Sequence, residues 1–141
     1  MSRVLGLDLG QRRIGVAVTD SAQSMAVPVG VVDRSSGNAK AIAEIVEQAS
    51  SYEVGLVVLG DPLGLSGEAG EAALAADRFA AALAEGLEPI GVPLERIDER
   101  LTTVTASARL REAGVDAKAQ RSRIDAASAV VILEHYLESA S

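Results

Sequence analysis

The chain of 141 residues has no cysteine, no tryptophan and a single histidine. The absence of cysteine excludes disulfides, thiolate zinc sites and cysteine nucleophiles. One phenylalanine and two tyrosines leave an aliphatic core, which argues against modules that hold single-stranded nucleic acid by stacking bases on aromatic rings. The histidine, His135, has no serine in an elbow motif beside it, so Ser-His-Asp catalysis is not expected.

Long apolar runs are also missing. No N-terminal segment is long and apolar enough for a signal peptide, and no stretch approaches the length of a membrane span. We therefore expect a cytoplasmic protein without a membrane partner. The length is close to the commonest size of one domain, which predicts a single domain over residues 1–141.

The net charge of −7 taken alone speaks against a polyanionic partner, but the charges are unevenly distributed. Residues 41–90 hold nine acidic residues and one basic residue. Residues 1–40 hold five basic and three acidic residues, and residues 96–125 hold seven basic and five acidic residues. Nucleic acid is therefore permitted as a partner of the two flanking segments, although charged helix faces exposed to water explain the pattern equally well.

The first third of the sequence has the pattern of three strands. "RVLGLDLG" is an apolar run, and "RRIGVAVTD" follows it after a short connection, which predicts an antiparallel hairpin. Residues 27–33 form a third candidate strand. Further along, residues 39–51 have helical apolar spacing, and residues 54–60 are a short apolar run typical of a covered parallel strand.

The rest of the chain is predicted to be mostly helical. A helix over 71–86 is expected to stop at Gly86, a further strand runs from residue 92 into a loop, and a helix over 103–114 precedes the closing segments. The order β-β-β-α-β-α-β-α-α predicts an α/β fold: a mixed five-stranded sheet, with three antiparallel strands and then parallel ones. We expect helices on both faces and the first strand at the centre.

Acidic residues stand out at three places. Asp8 interrupts the apolar first strand near its C-terminal end, where open α/β sheets tend to place ligands. Asp98 and Glu99 lie where a strand meets a loop, and adjacent strand residues point to opposite faces, so we expect one of them at a shared site. Asp125 opens the final helix and shares a face with small and apolar residues. Each place also has a purely structural explanation: the start of a turn at Asp8, a solvated turn at Asp98 and Glu99, and a helix N-cap or first-turn acid at Asp125.

Carboxylates from a central strand, from the end of a second strand and from the start of a packed helix can converge at one edge of the sheet. Three crowded carboxylates repel each other and need a cation. In a chain without cysteine, the fitting cation is a hard one such as Mg²⁺ or Mn²⁺. Two such ions about 4 Å apart catalyse in-line phosphodiester hydrolysis. The residues therefore indicate a metal-dependent nuclease.

Four blocks of the sequence resemble the YqgF family, also called RuvX: "DLGQRRIGVAVTD", "VVLGDPLGLSGEAG", "DERLTT" and "IDAASAVVILEHYL". The resemblance covers essentially the whole chain. It implies an RNase H-like fold in a bacterial cytoplasmic protein, described as a Holliday junction resolvase or as the nuclease that matures pre-16S ribosomal RNA. It places the family's acidic site on Asp8, on Asp125 and on the acidic pair, where we favour Glu99. The family's basic positions fall on Arg13 and Arg100.

The prediction is thus a nuclease for structured RNA or branched DNA, with Asp8, Glu99 and Asp125 as catalytic residues that hold Mg²⁺ or Mn²⁺. Phosphate contacts, which fix position without reading sequence, are expected from five arginines: Arg12, Arg13, Arg100, Arg121 and Arg123. Symmetric cleavage of a four-way junction calls for two active sites and hence a homodimer, whereas trimming an RNA end needs one site.

Two other functions fit the same sequence. "DLGxxxxGVAVTD" is similar to the first phosphate loop of sugar kinases and actin-like ATPases, but those proteins bind nucleotide between two copies of the fold, and 141 residues hold one copy. A non-catalytic ribosome-assembly or junction-binding factor would fit the acidic composition and the scarcity of aromatic residues. "GDPLGLSGEAG" is not a P-loop, because no Lys-Ser/Thr pair follows its glycines.

Overall fold

The computed structural model describes residues 2–61, 71–98 and 117–140. Three strands come first, helices and strands alternate after them, and the predicted helix over 103–114 lies outside the described residues. The elements are, in order, β1 (Arg3–Leu9), β2 (Arg13–Thr19), β3 (Ala26–Asp33), α1 (Asn38–Ser51), β4 (Val54–Asp61), α2 (Glu71–Leu87), a 3₁₀ turn (Glu88–Ile90), β5 (Leu94–Asp98) and α3 (Ala117–Ala140).

The described strands form one mixed sheet in the order β3-β2-β1-β4-β5. β1 pairs antiparallel with β2, and β2 pairs antiparallel with β3. β4 pairs parallel with β1, and β5 pairs parallel with β4. The predicted five-stranded architecture is confirmed, with β1 at its centre. The apolar run of β1 accounts for this position, because a central strand is covered on both faces.

Helices cover both faces of the sheet, as predicted. The sheet separates the core into two clusters, one on each face. On one face, α1 and α2 pack on the leucines of β1 and on neighbouring strands, in a cluster that contains Phe79. On the other face, α3 packs on Val4 and on residues of β2 and β4. Side chains alternate between the two faces along a strand. Gly6 and Asp8 therefore share the α3 face with Val4.

Gly86 does not end α2, contrary to the prediction. The helix continues to Leu87, and the chain turns at Gly91, whose φ of 67° lies in the left-handed region. Gly86 is instead a contact position: a β-carbon built there would lie 3.0 Å from Ile42 Cγ2 and 3.4 Å from Val46 Cγ2 of α1. The missing side chain lets two helices approach closely, whereas a glycine that terminates a helix supplies a positive φ.

The final segment is one helix of 24 residues. The prediction that Asp125 opens the final helix is therefore wrong, because α3 already begins at Ala117. The residues between these positions are mostly good helix formers, with no glycine or proline among them to end a turn. Among the described helices, α3 included, none combines the length and the apolar character that a membrane span requires.

Candidate active site

Asp8 lies half-buried near the C-terminal end of the central strand, on the face that α3 covers. Its strand is paired on both sides, since Asp8 is in register with Gly15 of β2 and with Gly60 of β4. A carboxylate partly withdrawn from water needs compensating contacts or a cation. Because strands on both sides hold the backbone, this carboxylate is presented from a rigid position.

The register places Asp8 in a row that crosses the whole sheet. The row runs through Val31, Gly15, Asp8, Gly60 and Ile97, one residue from each strand. Residues directly opposite each other on paired strands point to the same face. Since both immediate neighbours are glycines, no side chain of the sheet stands beside Asp8 along this row.

The turn between β1 and β2 brings two arginines to the same end of the sheet. The Gly10 amide donates a hydrogen bond to the Arg13 carbonyl oxygen at 3.0 Å. A β-carbon at Gly10 would lie 2.5 Å from that oxygen, so the turn requires glycine. Arg12 is exposed, and Arg13 begins β2. Arg13 is the diagonal neighbour of Asp8 on the same face. The Cα atoms of such diagonal pairs are about 7–8 Å apart.

An open pocket lies at one end of the Asp8 row. It has a volume of about 660 Å³ and is lined by Arg12, Arg13, Val31, Asp33 and Ser35. Val31 is two strands away from Asp8, which is about 10 Å at the usual strand spacing. The Ser35 amide donates to Asp33 Oδ1 at 2.8 Å, and this bond lowers the pKa of Asp33 below its usual range, with a smaller effect of Arg13. At neutral pH the pocket therefore carries two positive charges and one negative charge.

The other predicted site residues are described in part or not at all. Glu99 and Arg100 lie outside the described residues. The backbones of Arg121, Arg123 and Asp125 belong to α3, whereas their side chains lie outside the described part of the chain. The structure therefore brings Asp8, Arg12 and Arg13 to one end of the sheet, and the assignment of all eight as site residues stays a prediction.

Ser128 is a polar residue of α3 that the sequence did not single out. It is fully buried, and its Oγ has no hydrogen-bond partner among the described residues. It follows Asp125 by three residues, so the two positions share a helix face. A serine within an alanine-rich helix gives no signal by itself. Because buried hydroxyls are nearly always hydrogen-bonded, the unpartnered Oγ is compatible with a polar ligand at this face.

The residues present fit a divalent ion in part. Among the described residues, no three histidine, cysteine, aspartate or glutamate side chains could hold a metal together. Asp8 does fit one ligand position, because Mg²⁺ and Mn²⁺ prefer carboxylate oxygens and the glycines beside Asp8 add no bulk to its row. The remaining ligands would come from the segments that carry Glu99 and Asp125.

The chain matches a known family over nearly its whole length. The family model described as "RuvX: Holliday junction resolvase" matches residues 2–139. A protein of Rhodococcus opacus (strain B4) named "Putative pre-16S rRNA nuclease" is 45% identical over 145 residues, which cover 99% of this chain and 79% of that protein. A protein of the same name from Anaeromyxobacter sp. (strain Fw109-5) is 44% identical over 137 residues, covering 96% of each chain.

Solved structures share the fold at low sequence identity. One is T. thermophilus RuvC in complex with a Holliday junction substrate, with a TM-score of 0.61 and 16% identity over 99% of this chain and 96% of that chain. Another is the yeast mitochondrial Holliday junction resolvase Ydc2, with a TM-score of 0.56 and 12% identity over 96% of this chain and 78% of that chain. These likenesses confirm the predicted RNase H-like fold.

The fold and the relatives together define the class of protein: a nuclease, which hydrolyses phosphodiester bonds and has nucleic acid as its partner. Nucleases and resolvases of this family generally depend on divalent metal ions. The chain belongs to the RuvX family, also called YqgF, as its four sequence blocks predicted. Family membership favours the nuclease over the kinase-like alternative.

Proposed function

We propose that residues 1–141 form a single metal-dependent nuclease domain that cleaves structured RNA, with pre-16S ribosomal RNA as its substrate. Asp8, Glu99 and Asp125 would together hold Mg²⁺ or Mn²⁺. The observation that carries the proposal is the position of Asp8, half-buried on the central strand with glycine on both neighbouring strands. A position of this kind suits a ligand that must stay in place while a phosphate and an ion approach it.

The register of β5 supports Glu99 over Asp98 as the second carboxylate. Ile97 lies in the row of Asp8 and packs on the α3 side of the sheet. Strand positions alternate between faces, so a strand continued past Ile97 would return to that face at position 99.

The packing of α3 supports Asp125 as the third carboxylate. Leu133 of α3 packs on Gly6, since a β-carbon built at Gly6 would lie 2.4 Å from Leu133 Cγ. Gly6 precedes Asp8 by two residues, so the two positions share one face of β1. Asp125 precedes Leu133 by eight residues, which is a spacing that shares one helix face. This spacing supports a place for Asp125 on the side of α3 that faces β1.

The arginines near Asp8 explain how a substrate backbone would be held. Arg13, diagonal to Asp8, would bind the phosphate beside the one that is cleaved, and Arg12 in the pocket would bind a phosphate further along. Bidentate arginine–phosphate contacts orient the chain without reading its bases. Arg100, Arg121 and Arg123 are proposed as further phosphate contacts.

The chemistry follows from these positions. A divalent ion, when bound, supplies a Lewis acid for the phosphate and activates water for in-line attack. Asp8 holds its ligand oxygen on a strand that is paired on both sides, which limits reorganisation during the reaction. Arg13 places positive charge on the same face, where charge on the phosphate oxygens increases during hydrolysis.

The choice of substrate rests on the relatives. Two proteins named for pre-16S rRNA align with 99% and 96% of this chain. Branched DNA is the second candidate, because the family description names Holliday junction resolvase and a structural neighbour was solved with a junction substrate. Cleavage of a junction at two symmetric positions would require a homodimer.

The proposal is tested by cleavage assays with Mg²⁺ or Mn²⁺ on two substrates: a pre-16S rRNA fragment with its 5′ extension, and a four-way DNA junction. We expect the RNA to be shortened, and we expect Asp8→Asn to lower the cleavage rate by about 10³-fold while the protein remains folded. Solution mass, measured in parallel, separates a monomer from a homodimer.

Asp20→Asn is the matched control, since it makes the same chemical change in the loop after β2, at the end of the strand opposite Arg13. It should cleave at the wild-type rate. If wild-type protein binds the RNA but cuts neither substrate with either metal, the non-catalytic assembly factor replaces the nuclease. If Asp8→Asn cuts as fast as wild type, the site lies elsewhere.

A further inference from the structure

Arg34, the residue after β3, connects four parts of the fold. Its Nη1 donates to the Gly10 carbonyl oxygen, and its backbone amide donates to the Arg12 carbonyl oxygen at 2.8 Å. Its Nε and Nη2 donate to Asn38 Oδ1 at 3.2 and 3.1 Å, at the start of α1. The guanidinium also lies 5.0 Å from the centre of the Phe79 ring of α2. The side chain is thus fixed at both its polar edge and its flat face.

Two of these contacts hold the turn between β1 and β2. The Gly10 amide is used within the turn, because it donates to the Arg13 carbonyl oxygen. The carbonyl oxygens of Gly10 and Arg12 point to Arg34 instead. A bond between an ionised donor and a backbone carbonyl is stronger than a bond between neutral groups. Arg34 therefore fixes the turn from the side of β3.

Asp8 does not depend on this support, whereas the arginines of the turn do. Asp8 is held by strand pairing on both sides. Arg12 lies in the turn itself, between the two strands, and its side chain is exposed. A loosened turn would leave Arg12 without a fixed direction, and Arg13 would lose the hydrogen bond that its carbonyl accepts.

Arg34 is poorly placed to bind substrate directly. All three guanidinium nitrogens donate hydrogen bonds to Gly10 or Asn38, and one flat face lies over the Phe79 ring. Arg34 is also not among the residues that line the pocket, which include its neighbours Asp33 and Ser35. Its effect on a substrate would therefore pass through the turn.

We propose that Arg34 is a positioning residue, which holds the Gly10–Arg13 turn so that Arg12 and Arg13 are pre-arranged for the phosphate backbone. This rests on the proposed function in one respect, namely that Arg12 and Arg13 contact nucleic acid. The holding of the turn itself is independent of that function, which allows the two to be tested separately.

The first test measures the turn without any substrate. Hydrogen exchange of the Gly10 amide is followed by NMR in wild type, Arg34→Ala, Arg34→Lys and Asn38→Ala. We expect exchange at least tenfold faster in Arg34→Ala, with smaller increases in Arg34→Lys and Asn38→Ala, which each keep part of the contacts. Arg78→Ala, an exposed arginine of α2, is the matched control and should leave Gly10 unchanged. Unchanged Gly10 exchange in the Arg34 and Asn38 variants would overturn the proposal.

The second test measures binding of the same RNA fragment and DNA junction in EDTA, where no cleavage occurs. We expect Arg34→Ala to raise Kd about tenfold, and Arg34→Lys to raise it less. On a background of Arg12→Ala with Arg13→Ala, the Arg34 substitution should add almost nothing, because it acts through those two residues.

Equal effects of the Arg34 substitution in both backgrounds would show a direct contact or a general loss of structure, and would contradict the proposal. If Arg34→Ala does not fold, Arg34→Lys and Asn38→Ala carry both tests. If wild-type protein binds neither nucleic acid, the proposed function fails, and the Gly10 exchange rates alone decide whether Arg34 holds the turn.

Discussion

The two faces of β1 differ in what they contribute. On the face covered by α1 and α2, Leu5, Leu7 and Leu9 are buried in a continuous apolar cluster that reaches all the described helices on that side. On the face covered by α3, the corresponding series is Val4, Gly6 and Asp8. One strand of seven residues thus presents large apolar side chains on one face. On the other face it presents smaller side chains and a carboxylate.

The difference shows how a central strand can serve both stability and chemistry. Alternation places successive side chains on opposite faces, so a substitution on one face leaves the other face in place. The apolar face supplies most of the burial, which allows the second face to carry glycines and a carboxylate where apolar residues would be more stable. Functional sites commonly break local rules in this way.

The largest effect on stability is expected from Leu7→Ala, on the apolar face. Leu7 is fully buried, so its truncation leaves a cavity between β1 and the helices, and we expect a loss of about 2–5 kcal/mol in the free energy of unfolding. Cleavage per folded molecule should stay near the wild-type rate. Urea denaturation measures the first quantity, and a cleavage assay well below the unfolding midpoint measures the second.

Leu74→Ala is the matched control for Leu7, since it makes the same truncation on an exposed position of α2 and should change stability by less than about 0.5 kcal/mol. A Leu7→Ala protein that is stable but inactive would mean that the two faces are not separate in function.

A smaller effect is expected from Gly6→Ala, on the α3 face. The added methyl group would lie 2.4 Å from Leu133 Cγ, and both residues are enclosed, so α3 has to shift. We expect a loss of about 1–3 kcal/mol from overpacking. Cleavage should also fall, because α3 carries the proposed ligand Asp125.

The clash at Gly6 has a specific remedy. In a Leu133→Ala background, Gly6→Ala should cost clearly less than it does in wild type, because the atom it meets is gone. Equal costs in the two backgrounds would show that the close approach of Leu133 to Gly6 is not what limits this face. Denaturant unfolding of the four proteins measures the coupling.

The smallest effect concerns the other end of the α3 face. Thr19 is buried, and its Oγ1 accepts a hydrogen bond from the Val4 amide at 2.9 Å. Thr19→Val keeps the shape but leaves that amide unpaired, so we expect a loss of about 1–2 kcal/mol with unchanged cleavage. Thr19→Ser keeps the hydroxyl and should retain the bond. Lost activity in a folded Thr19→Val protein would extend the functional region along the whole of this face.

The sheet could be predicted because its signals are local. The short connection at Gly10–Arg12 and the alternation in "RRIGVAVTD" indicate the hairpin, and the apolar run of β1 indicates its central place. The ends of the helices were predicted less well, because Gly86 serves a contact with α1 that no local pattern shows, and because nothing local marks Asp125 as interior to α3.

The sequence suggests candidate site residues only where one residue is unusual in its own segment. Asp8 stands out as a charge in an apolar strand, and Arg12 and Arg13 stand out in a tight turn. Arg34 does not, because its contacts reach across 24 residues to Gly10 and further to Phe79. The sequence does not show that Gly60 of β4 lies beside Asp8, because this contact depends on the parallel register of β1 and β4. Long-range pairing, which depends on the whole fold, is what a single sequence does not display.

The most direct test of the account is Mn²⁺ binding by wild type and Asp8→Asn, measured by isothermal titration calorimetry without nucleic acid. The account predicts that wild type binds the ion, and that Asp8→Asn binds it about 100-fold more weakly or not at all. The unfolding midpoint of Asp8→Asn in EDTA should stay close to that of wild type, because the α1 and α2 face is untouched. Equal Mn²⁺ affinity in the two proteins would contradict the claim that the α3 face of β1 carries the metal ligand.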